Sequence, residues 1–556
     1  MLYTLQDYER ELGGKTTLEL SNVLRTKLKL GRLNRTISPE MDAMIHKDLL
    51  STLMLMIDGP NTRVLIHHKL PPEILAVIFN HVRLQPCIRG TPRTSVWDPL
   101  IIRLDCLVQL SHVCRYWREI ILGTSTLWDR IDDPTRRLKR VDLPAQRAQT
   151  VPLVISIAGE PTPSMDALLK GHKPIREVRY DGITISLSQK YLQQQAPLLE
   201  SLSLTGTSGE PMMGRSRRPS GGYPVQVFRG HTPRLHHLSL DSLHWIPTLQ
   251  TSALTHLYLA DCYGRNLLRR ILSLLSASPN LTDLVLVDRN DVLHMEIPQH
   301  GAPVHLLRLQ RLVFKDMSSA GVKVFLVQVR LTPETCVRII DVRPLGADLL
   351  DKLAELLLRT EVTRFLIKGM GTRFTAVGEG PSAGIVIDHF IAENEEWGTA
   401  LPRILPIRQL RELHVVLRDS PMLFASTPTA MVDFLARAPA LKRLYVDTQG
   451  LESLADSLEC YGRNSPKLAC PGVALHVQMP CHGPRSNLST IQSFATRQTN
   501  LGIRHLVAEY CPGCQGAPYR PWFPRDVQVN FASVTSTPKS RVGHDWRMLR
   551  TNWPAC

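Results

Sequence analysis

The chain has 556 residues, of which 43% are hydrophobic, so it is too long for one compact core and too apolar to be disordered by composition. Lysine and arginine total 66 against 50 acidic residues, and the formal net charge of +16 permits attraction to acidic partners. The basic residues are scattered, and no zinc-finger spacing, RNA-recognition aromatic signature or basic zipper accompanies them. Nucleic acid is therefore not an expected partner.

The cysteine pattern and the first residues indicate where the protein is expected to work. Eleven cysteines are spread along the chain without a dense framework, which is typical of reduced thiols inside the cell. The first residues, MLYTLQDYEREL, place charges where a signal peptide needs an apolar core. The apolar stretch 49–57 is far shorter than the ~20 residues of a membrane-spanning helix. We therefore expect a cytoplasmic or nuclear protein with no membrane association.

Residues 1–63 are predicted to be a mostly helical N-terminal segment. Leu20, Val23 and Leu24 recur at helical spacing, and apolar residues near Leu50 follow the same period more loosely. Two interpretations stay open for this segment, a cap packed on the next part of the chain and a helical surface for a partner.

Residues 69–82, KLPPEILAVIFNHV, predict a helix that begins at Pro71 and Pro72. Proline is tolerated at the first helical position, where its missing N–H costs nothing. Glu73 suits the positive end of the helix dipole. One apolar stripe continues from there at the helical period and comprises Ile74, Leu75, Ile78, Phe79 and Val82.

A second helix is predicted over residues 107–122, after a loop at 83–105 that contains two prolines and a glycine. Gly123 comes directly after the helix, at a position that glycine favours. The apolar face of this helix comprises Leu107, Leu110, Val113, Cys114, Trp117, Ile120 and Ile121.

The chain then passes through a short closing turn that contains Leu127 and Trp128. The stretch 133–150 is polar and basic and contains Pro134 and Pro144, so it is interpreted as a linker.

From about residue 151 the pattern changes to short strands that recur as units of the form Pro-x-Leu-x-x-Leu-x-Leu. The apolar positions of these units are Leu199, Leu202, Leu204; Leu235, Leu238, Leu240; Leu254, Leu257, Leu259; Leu281, Leu284, Leu286; Leu309, Leu312, Phe314; and, more loosely, Leu410, Leu413, Val415 and Leu441, Leu444, Val446. Between Leu254 and Leu309 the units are 27 and 28 residues apart, a spacing typical of leucine-rich repeats. Residues 151–530 are therefore predicted to stack into a curved solenoid with a parallel sheet, and residues 531–556 to form a flexible tail.

The residue after each predicted strand differs from the usual repeat. The asparagine expected there is mostly absent, and aspartates occupy nearby positions, namely Asp241, Asp261, Asp288, Asp316 and Asp447. A carboxylate accepts backbone N–H bonds in a turn but cannot donate as an amide can. We therefore expect irregular repeats with variable turns.

The ordered combination LPPEIL, IF, LSHVCRYWREI and STLW within residues 69–131 resembles the F-box, and specifically the divergent form of large fungal F-box families. The resemblance implies a three-helix module at residues 64–132 that binds a Skp-family adaptor, which in turn binds a cullin. The adaptor-facing or module-core residues that it implies are Leu70, Pro71, Glu73, Ile74, Leu75, Ile78, Phe79, Val82, Leu110, Val113, Cys114, Trp117 and Trp128. The loop at 83–106 is longer than the motif usually has.

The expected fold is therefore α/β, a small all-α F-box module followed by an irregular leucine-rich-repeat-like solenoid with a parallel sheet. The expected function is non-catalytic: the substrate-recognition subunit of an SCF-type ubiquitin ligase, with the repeats binding an unidentified target protein.

Two alternatives to this function stay open, a repeat scaffold without a ligase link and a zinc-dependent or other enzyme. Cys511 and Cys514, with Cys470 and Cys481, would supply four thiolates for zinc. Their uneven spacing fits a Pro-Gly turn with two free cysteines better, so no metal or cofactor is expected.

Overall fold

The computed structural model of the protein describes fifteen stretches and a few isolated residues of the chain. The stretches are 70–83, 104–133, 142–171, 173–207, 225–264, 266–289, 302–342, 361–370, 373–380, 384–390, 409–418, 438–447, 473–478, 505–510 and 528–533, and the isolated residues are 349, 352, 353, 355, 435, 451, 452, 454, 455 and 494. The chain divides into two compact units near residue 155. Predictions for residues 1–63, for the loop at 208–224 and for Cys470, Cys481, Cys511 and Cys514 lie outside the described residues.

The first unit is mostly helical. Its described elements are α1 (Pro72–Arg83), α2 (Leu104–Ser111), α3 (Arg115–Gly123), a 3-10 turn (Ser125–Leu127), β1 (Arg130–Asp133), α4 (Asp142–Arg147) and the start of β2 (Leu153–Ala158). The predicted start of α1 is confirmed, since Pro72 is its first residue and Glu73 lies in its first turn. The Pro71 carbonyl accepts the first helical hydrogen bonds, from the N–H groups of Ile74 at 3.0 Å and Leu75 at 3.2 Å.

The predicted single helix over residues 107–122 is wrong, because the chain forms two helices there. The N–H of Val113 donates to the carbonyl of Leu110, three residues earlier, at 3.2 Å. This bond has the spacing of a 3-10 turn and ends α2. Cys114 is extended, with φ −157° and ψ 167°, and its Sγ accepts a hydrogen bond from the N–H of Trp117 at 3.4 Å. A thiol cap therefore starts α3 where the periodicity predicted a continuous helix.

The predicted linker, residues 133–150, contains ordered structure: β1 ends at its first residue and α4 lies inside it. Strand β1 ends at Asp133 and pairs with β2, so the strands begin before residue 151. Helix α4 occupies residues 142–147, and Pro144 lies in its first turn, where N–H groups have no helical partner. Ala148 just after it is fully buried. The linker prediction therefore missed a short ordered helix.

The second unit holds most of the strands. The helices that the structure describes from end to end in this unit are α5 (Pro163–Lys170), α6 (Ile185–Tyr191), α7 (Leu267–Ser276) and α8 (Ser319–Gln328). Its strands in the N-terminal part are β3 (Ile175–Ile183), β4 (Ser201–Gly206), β5 (Val225–Gln226), β6 (His237–Asp241), β7 (Pro247–Thr248), β8 (His256–Ala260), β9 (Asp283–Val287), β10 (Val304–Leu306), β11 (Arg311–Lys315), β12 (Val329–Leu331) and β13 (Cys336–Ile340). The later strands are β14 (Arg364–Met370), β15 (Arg373–Glu379), β16 (Gly384–Phe390), β17 (Glu412–Arg418), β18 (Arg443–Asp447), β19 (Ala474–Gln478), β20 (His505–Tyr510) and β21 (Gln528–Ser533).

Most of the described strands belong to one large, mostly parallel sheet, whereas β5 pairs with β7 and β10 pairs with β12 in two small parallel sheets. Parallel pairing runs from β3 through β4, β6, β8, β9, β11 and β13 to β16. It runs again from β14 through β17, β18, β19 and β20 to β21. Between these two runs, β15 pairs antiparallel with both β14 and β16. The prediction of a parallel sheet therefore does not hold for this part of the sheet. Strand β21 ends at Ser533, beyond the predicted boundary at residue 530.

The leucines picked out in the sequence lie in register across neighbouring strands. One row joins Leu202, Leu238, Leu257, Leu284 and Leu312, and the next joins Leu204, Leu240, Leu259, Leu286 and Phe314. Both rows are at most 2% exposed. Because side chains alternate along a strand, both rows point to one face of the sheet and build its core.

Aspartates directly follow several of these strands, and their backbone explains the preference. Two of the aspartates named from the sequence, Asp261 and Asp316, have φ of 47° and 52°, and Asp341, which was not named, has φ of 51°. Aspartate tolerates this left-handed conformation better than most residues. The Asp261 Oδ1 accepts a hydrogen bond from the N–H of Arg289 at 2.9 Å. A carboxylate from one turn therefore binds the backbone of the next turn.

A polar row crosses four neighbouring strands on the second face of the sheet, opposite the leucines. It joins His237, His256, Asp283 and Arg311, which are register partners. The two histidine rings lie 4.5 Å apart, and His256 Nε2 is 3.2 Å from the Asp283 Oδ2. Arg311 donates to the other carboxylate oxygen, and Thr282 donates to Oδ2 at 2.7 Å. Asp283 is only 2% exposed, so these partners stabilise a buried charge.

We expect the folded sheet to lose stability on mild acidification because of this row. Burial, with the neighbouring His256 and His236, lowers the pKa of His237 from 6.5 to about 4, and burial also lowers the pKa of His256. Between these values the unfolded chain takes up protons that the folded sheet does not, so the free energy of unfolding falls as the pH is lowered. The midpoint temperature of thermal unfolding of the full chain should therefore decrease when the pH is lowered from about 7 to about 5.

The variant His237→Asn separates this effect from other titrations. The substitution removes one imidazole whose pKa is lowered in the folded sheet. The midpoint temperature of unfolding should therefore change less with pH in the variant than in the wild-type chain. An equal pH dependence for the two proteins would show that His237 does not contribute.

Candidate adaptor-binding surface

The core of the first unit is built from aromatic and leucine side chains of α1 and α3. Leu75, Phe79 and Trp117 are 2%, 0% and 6% exposed. The rings of Phe79 and Trp117 lie 4.9 Å apart and are tilted by 58°, a favourable aromatic contact. The buried indole N–H of Trp117 meets no acceptor among the described residues. Trp117 therefore contributes by packing.

Trp128 connects the closing turn to the end of α3. Its indole N–H donates to the Ile121 carbonyl at 2.6 Å, and its side chain is 4% exposed. The guanidinium of Arg147, on α4, lies 4.5 Å from the centre of the indole ring, close enough for a cation–π contact. Trp128 therefore holds α3, the closing turn and α4 together.

The other predicted residues of α1, and the two predicted residues just before it, lie beside this core. Leu70, Pro71, Ile74, Ile78 and Val82 are half-buried. Glu73 is exposed in the first turn of the helix. These side chains are thus only partly used by the packing of the unit itself.

The region between α2 and α3 exposes further apolar surface. Leu110 and Cys114 are half-buried, and Val113 is 50% exposed. Val113 was predicted to lie on the buried face of one long helix, and the break before Cys114 leaves it outside the core instead. Val113 is therefore a surface residue.

Three exposed apolar residues of α1 to α3 were missed in the sequence. Val77 on α1 is 51% exposed, Val108 on α2 is 49% exposed and Leu122 on α3 is 41% exposed. Val77 lies off the predicted stripe, one turn from Ile74. Val77 could have been identified from the sequence, because it is an apolar residue outside the apolar stripe of the predicted helix.

Four of the predicted site residues, Leu75, Phe79, Trp117 and Trp128, are buried and build the unit. The other nine are half-buried or exposed. We use the name valine surface for six half-buried or exposed apolar residues of α1, α2 and the turn after α2, namely Ile74, Val77, Ile78, Val108, Leu110 and Val113. Exposed apolar side chains grouped on one small unit are typical of a surface that binds another protein.

The described residues show neither a metal centre nor a membrane span. Within the described stretches, no group of three or more histidine, cysteine or acidic side chains is arranged to hold a metal ion. No helix in that part of the chain is both long and apolar enough to cross a membrane.

The comparisons with known proteins match this same unit. The F-box-like family model matches residues 67–133, which contain α1, α2, α3, the closing turn and β1. No curated protein matches the chain. The matched range begins three residues before Leu70 and includes every predicted adaptor-binding residue. Residues 67–133 of this chain therefore form an F-box-like domain.

Proposed function

We propose that this chain is the substrate-recognition subunit of an SCF-type ubiquitin ligase. The F-box-like domain binds a Skp-family adaptor and, through it, a cullin, while the second unit binds a target protein. The observation that carries the proposal is the F-box-like match at residues 67–133. F-box domains generally bind adaptors of this family.

The valine surface supports adaptor binding by its exposure. Val77, Val108 and Val113 each leave about half of their surface in water, although α1 to α3 contain enough buried aromatic surface to form a core. Covering these side chains with a partner would remove apolar area from water, at about 25 cal/mol per Å². The half-buried Ile74 and Ile78 extend the same surface along α1.

The second unit supports target binding by its architecture. Its parallel strands, with leucine rows in register, are consistent with a leucine-rich-repeat-like solenoid, and such solenoids offer one long face to a partner. The role proposed for this unit is non-catalytic. It raises the local concentration of the target near the ubiquitin-transfer machinery.

We further propose that the domain is of the divergent fungal form of the F-box and that the protein works in the cytoplasm or the nucleus.

Co-purification tests the adaptor contact. The full chain is co-expressed with a Skp-family adaptor, and stable co-elution is expected. The double variant Val77→Asp with Val113→Asp should abolish co-elution, because it places two charges in an apolar interface. Both positions are about half exposed, so the variant should still fold.

The matched control is Leu307→Asp, which changes an apolar residue that is 71% exposed in the second unit. This variant should co-elute like the wild-type chain. Absence of co-elution from well-folded wild-type protein would contradict the ligase link and favour a repeat scaffold that acts without a ligase.

A further inference from the structure

A cavity of about 540 Å³ lies at the carboxyl ends of β3, β4, β6 and β8. We call it the carboxylate pocket. Its volume is within the range of pockets that bind ligands. The lining residues on which its chemistry depends are Asp181, Thr205, Asp241, Tyr258, Asp261 and Arg289.

Strand register places two carboxylates and a hydroxyl of the pocket side by side on the second face of the sheet. Asp181 pairs with Thr205, and Thr205 pairs with Asp241. Asp241 comes four residues after His237 on β6, so both side chains point to the face opposite the leucines. Neighbouring parallel strands are about 4.8 Å apart, so the backbones of Asp181 and Asp241 are roughly 10 Å apart, with Thr205 between them.

Two arginines near the pocket are already paired with carboxylates. Nη1 of Arg289 lies 3.4 Å from Oδ2 of Asp261, and its Nε lies 3.5 Å from Oδ2 of Asp316. On β3, Arg179 lies on the same face as the pocket and its Nε is 2.5 Å from Oε1 of Glu177. The charge of each arginine is therefore already engaged.

Two carboxylates of the pocket form no ion pair among the described residues. Asp181 is exposed, whereas Asp241 is half-buried and accepts a hydrogen bond from the Ser242 hydroxyl at 2.9 Å. Burial raises the pKa of the Asp241 carboxyl, and Asp261 and Asp181 add to this rise, while Arg289 opposes it. The pocket therefore holds more negative charge than its own cation balances.

A buried hydroxyl in the lining also lacks a partner. Tyr258 is 4% exposed and lines the cavity, and its phenol oxygen has no hydrogen-bond partner among the described residues. Buried tyrosine hydroxyls usually have one. Ala260, two residues later on the same face of β8, leaves space beside the ring because its side chain is small. An unused hydrogen-bonding group at a cavity points to a ligand.

We propose that the carboxylate pocket binds an arginine side chain from a basic segment of the target protein. The proposal rests on the proposed function, because it assigns part of target recognition to this site. The guanidinium lies over Thr205 and donates to Asp181 and Asp241. The Tyr258 oxygen accepts a further N–H, and the alkyl stem of the arginine packs on the Tyr258 ring.

The spacing of the carboxylates favours a guanidinium over a metal ion or an ammonium group. Mg²⁺ and Ca²⁺ need several oxygens within about 2.0–2.6 Å, and no group in the described stretches is arranged to hold a metal ion. An ammonium is a compact point charge, whereas a guanidinium presents five donors in a planar fork. Two carboxylates on strands that are separated by a third therefore fit arginine best.

Fluorescence anisotropy of the full chain tests this proposal. The probe is a short labelled glycine–serine peptide with arginines at alternate positions, and the control peptide has citrulline, the uncharged analogue, in their place. The arginine peptide should bind saturably and more weakly with added salt, and the citrulline peptide about tenfold more weakly or less. The net charge of the chain is +16, so most of its surface repels the arginine peptide and binding reports a local acidic site.

Two variants test the named residues. Asp181→Asn with Asp241→Asn should weaken binding of the arginine peptide about tenfold or more. It should fold like the wild-type chain, because asparagine keeps an oxygen that accepts from Ser242. Tyr258→Phe removes a hydroxyl without a described partner, so its midpoint temperature of unfolding should not fall although it binds the peptide several-fold more weakly.

The matched control is Glu200→Gln with Glu334→Gln, which removes two exposed carboxylates before β4 and β13 and changes the net charge equally. It should bind the arginine peptide like the wild-type chain. Equal weakening by both double variants, equal binding of the two peptides, or no saturable binding would each overturn the proposal. Binding of free arginine amide as tight as that of the peptide would overturn the assignment to a protein segment.

Adaptor co-elution, measured on the same preparations, separates this inference from the proposed function. Loss of peptide binding with intact co-elution removes only the carboxylate pocket. Peptide binding without co-elution supports the pocket and contradicts the ligase link.

Discussion

Phe79→Ala is expected to lower the local free energy of unfolding of α1 to α3 by about 3–5 kcal/mol. Phe79 is fully buried and packs its ring 4.9 Å from that of Trp117. Truncation removes this contact and leaves a cavity between α1 and α3, in a unit with a small core. Hydrogen exchange of the full chain, read by mass spectrometry over residues 72–83 and 115–123, measures the loss.

Val77→Ala is the control for this substitution, since it lies on the same helix but is 51% exposed. Its effect on exchange should stay within about 0.5 kcal/mol. A comparable loss in both variants would show that Phe79 is not the packing centre of the domain. Because the valine surface depends on the position of α1, adaptor co-elution should fail for Phe79→Ala and persist for Val77→Ala.

Arg311→Leu is expected to destabilise the sheet around β9 and β11 by about 3 kcal/mol. Arg311 donates to the Asp283 carboxylate, which is 2% exposed. Its removal leaves a buried charge whose remaining partners, among the residues that the structure describes, are His256 and Thr282. Exchange of the backbone N–H groups in β9 and β11 should therefore speed up at neutral pH.

The pH dependence of the same variant gives a second test. Arg311 contributes to the low pKa of His256, which burial lowers most strongly, while Asp283 opposes the shift. Without Arg311 the pKa of His256 should rise, and the imidazolium should pair with Asp283. The variant should thus lose less stability than the wild-type chain on acidification below about pH 6. Adding Asp283→Asn should restore part of the loss, whereas Arg330→Leu, at an exposed site, should have little effect.

Local signals explain which parts of the fold could be predicted from the sequence. The start of α1 was predictable, because a proline pair, a first-turn acid and one apolar stripe all lie within twelve residues. The leucine triplets were predictable for the same reason, and each lies within a single strand and the residues before it. Their alignment in register results from burying equivalent leucines on one face.

The break between α2 and α3 could not be predicted from periodicity. Leu110, Val113, Cys114 and Trp117 keep helical spacing across it, so the apolar pattern continues although the backbone does not. The signal is the cap geometry of Cys114, and cysteine is not among the residues that usually cap helices.

Contacts that depend on strand register could not be predicted from the sequence either. Asp283 and Arg311 are 28 residues apart in sequence and become neighbours only when β9 and β11 pair. The same holds for the stacked rings of His414, Tyr445 and His476, which come from three different strands. The antiparallel pairing of β14, β15 and β16 interrupts the repeat pattern, and no leucine triplet marks it.

The most direct test of the ligase-receptor proposal is hydrogen exchange of the full chain with and without a purified Skp-family adaptor. If the F-box-like domain binds the adaptor through the valine surface, protection should increase over α1 and α2 and at the start of α3. Protection confined to the second unit, or no change in a chain that is well folded, would contradict the proposal that this protein is a ubiquitin-ligase receptor.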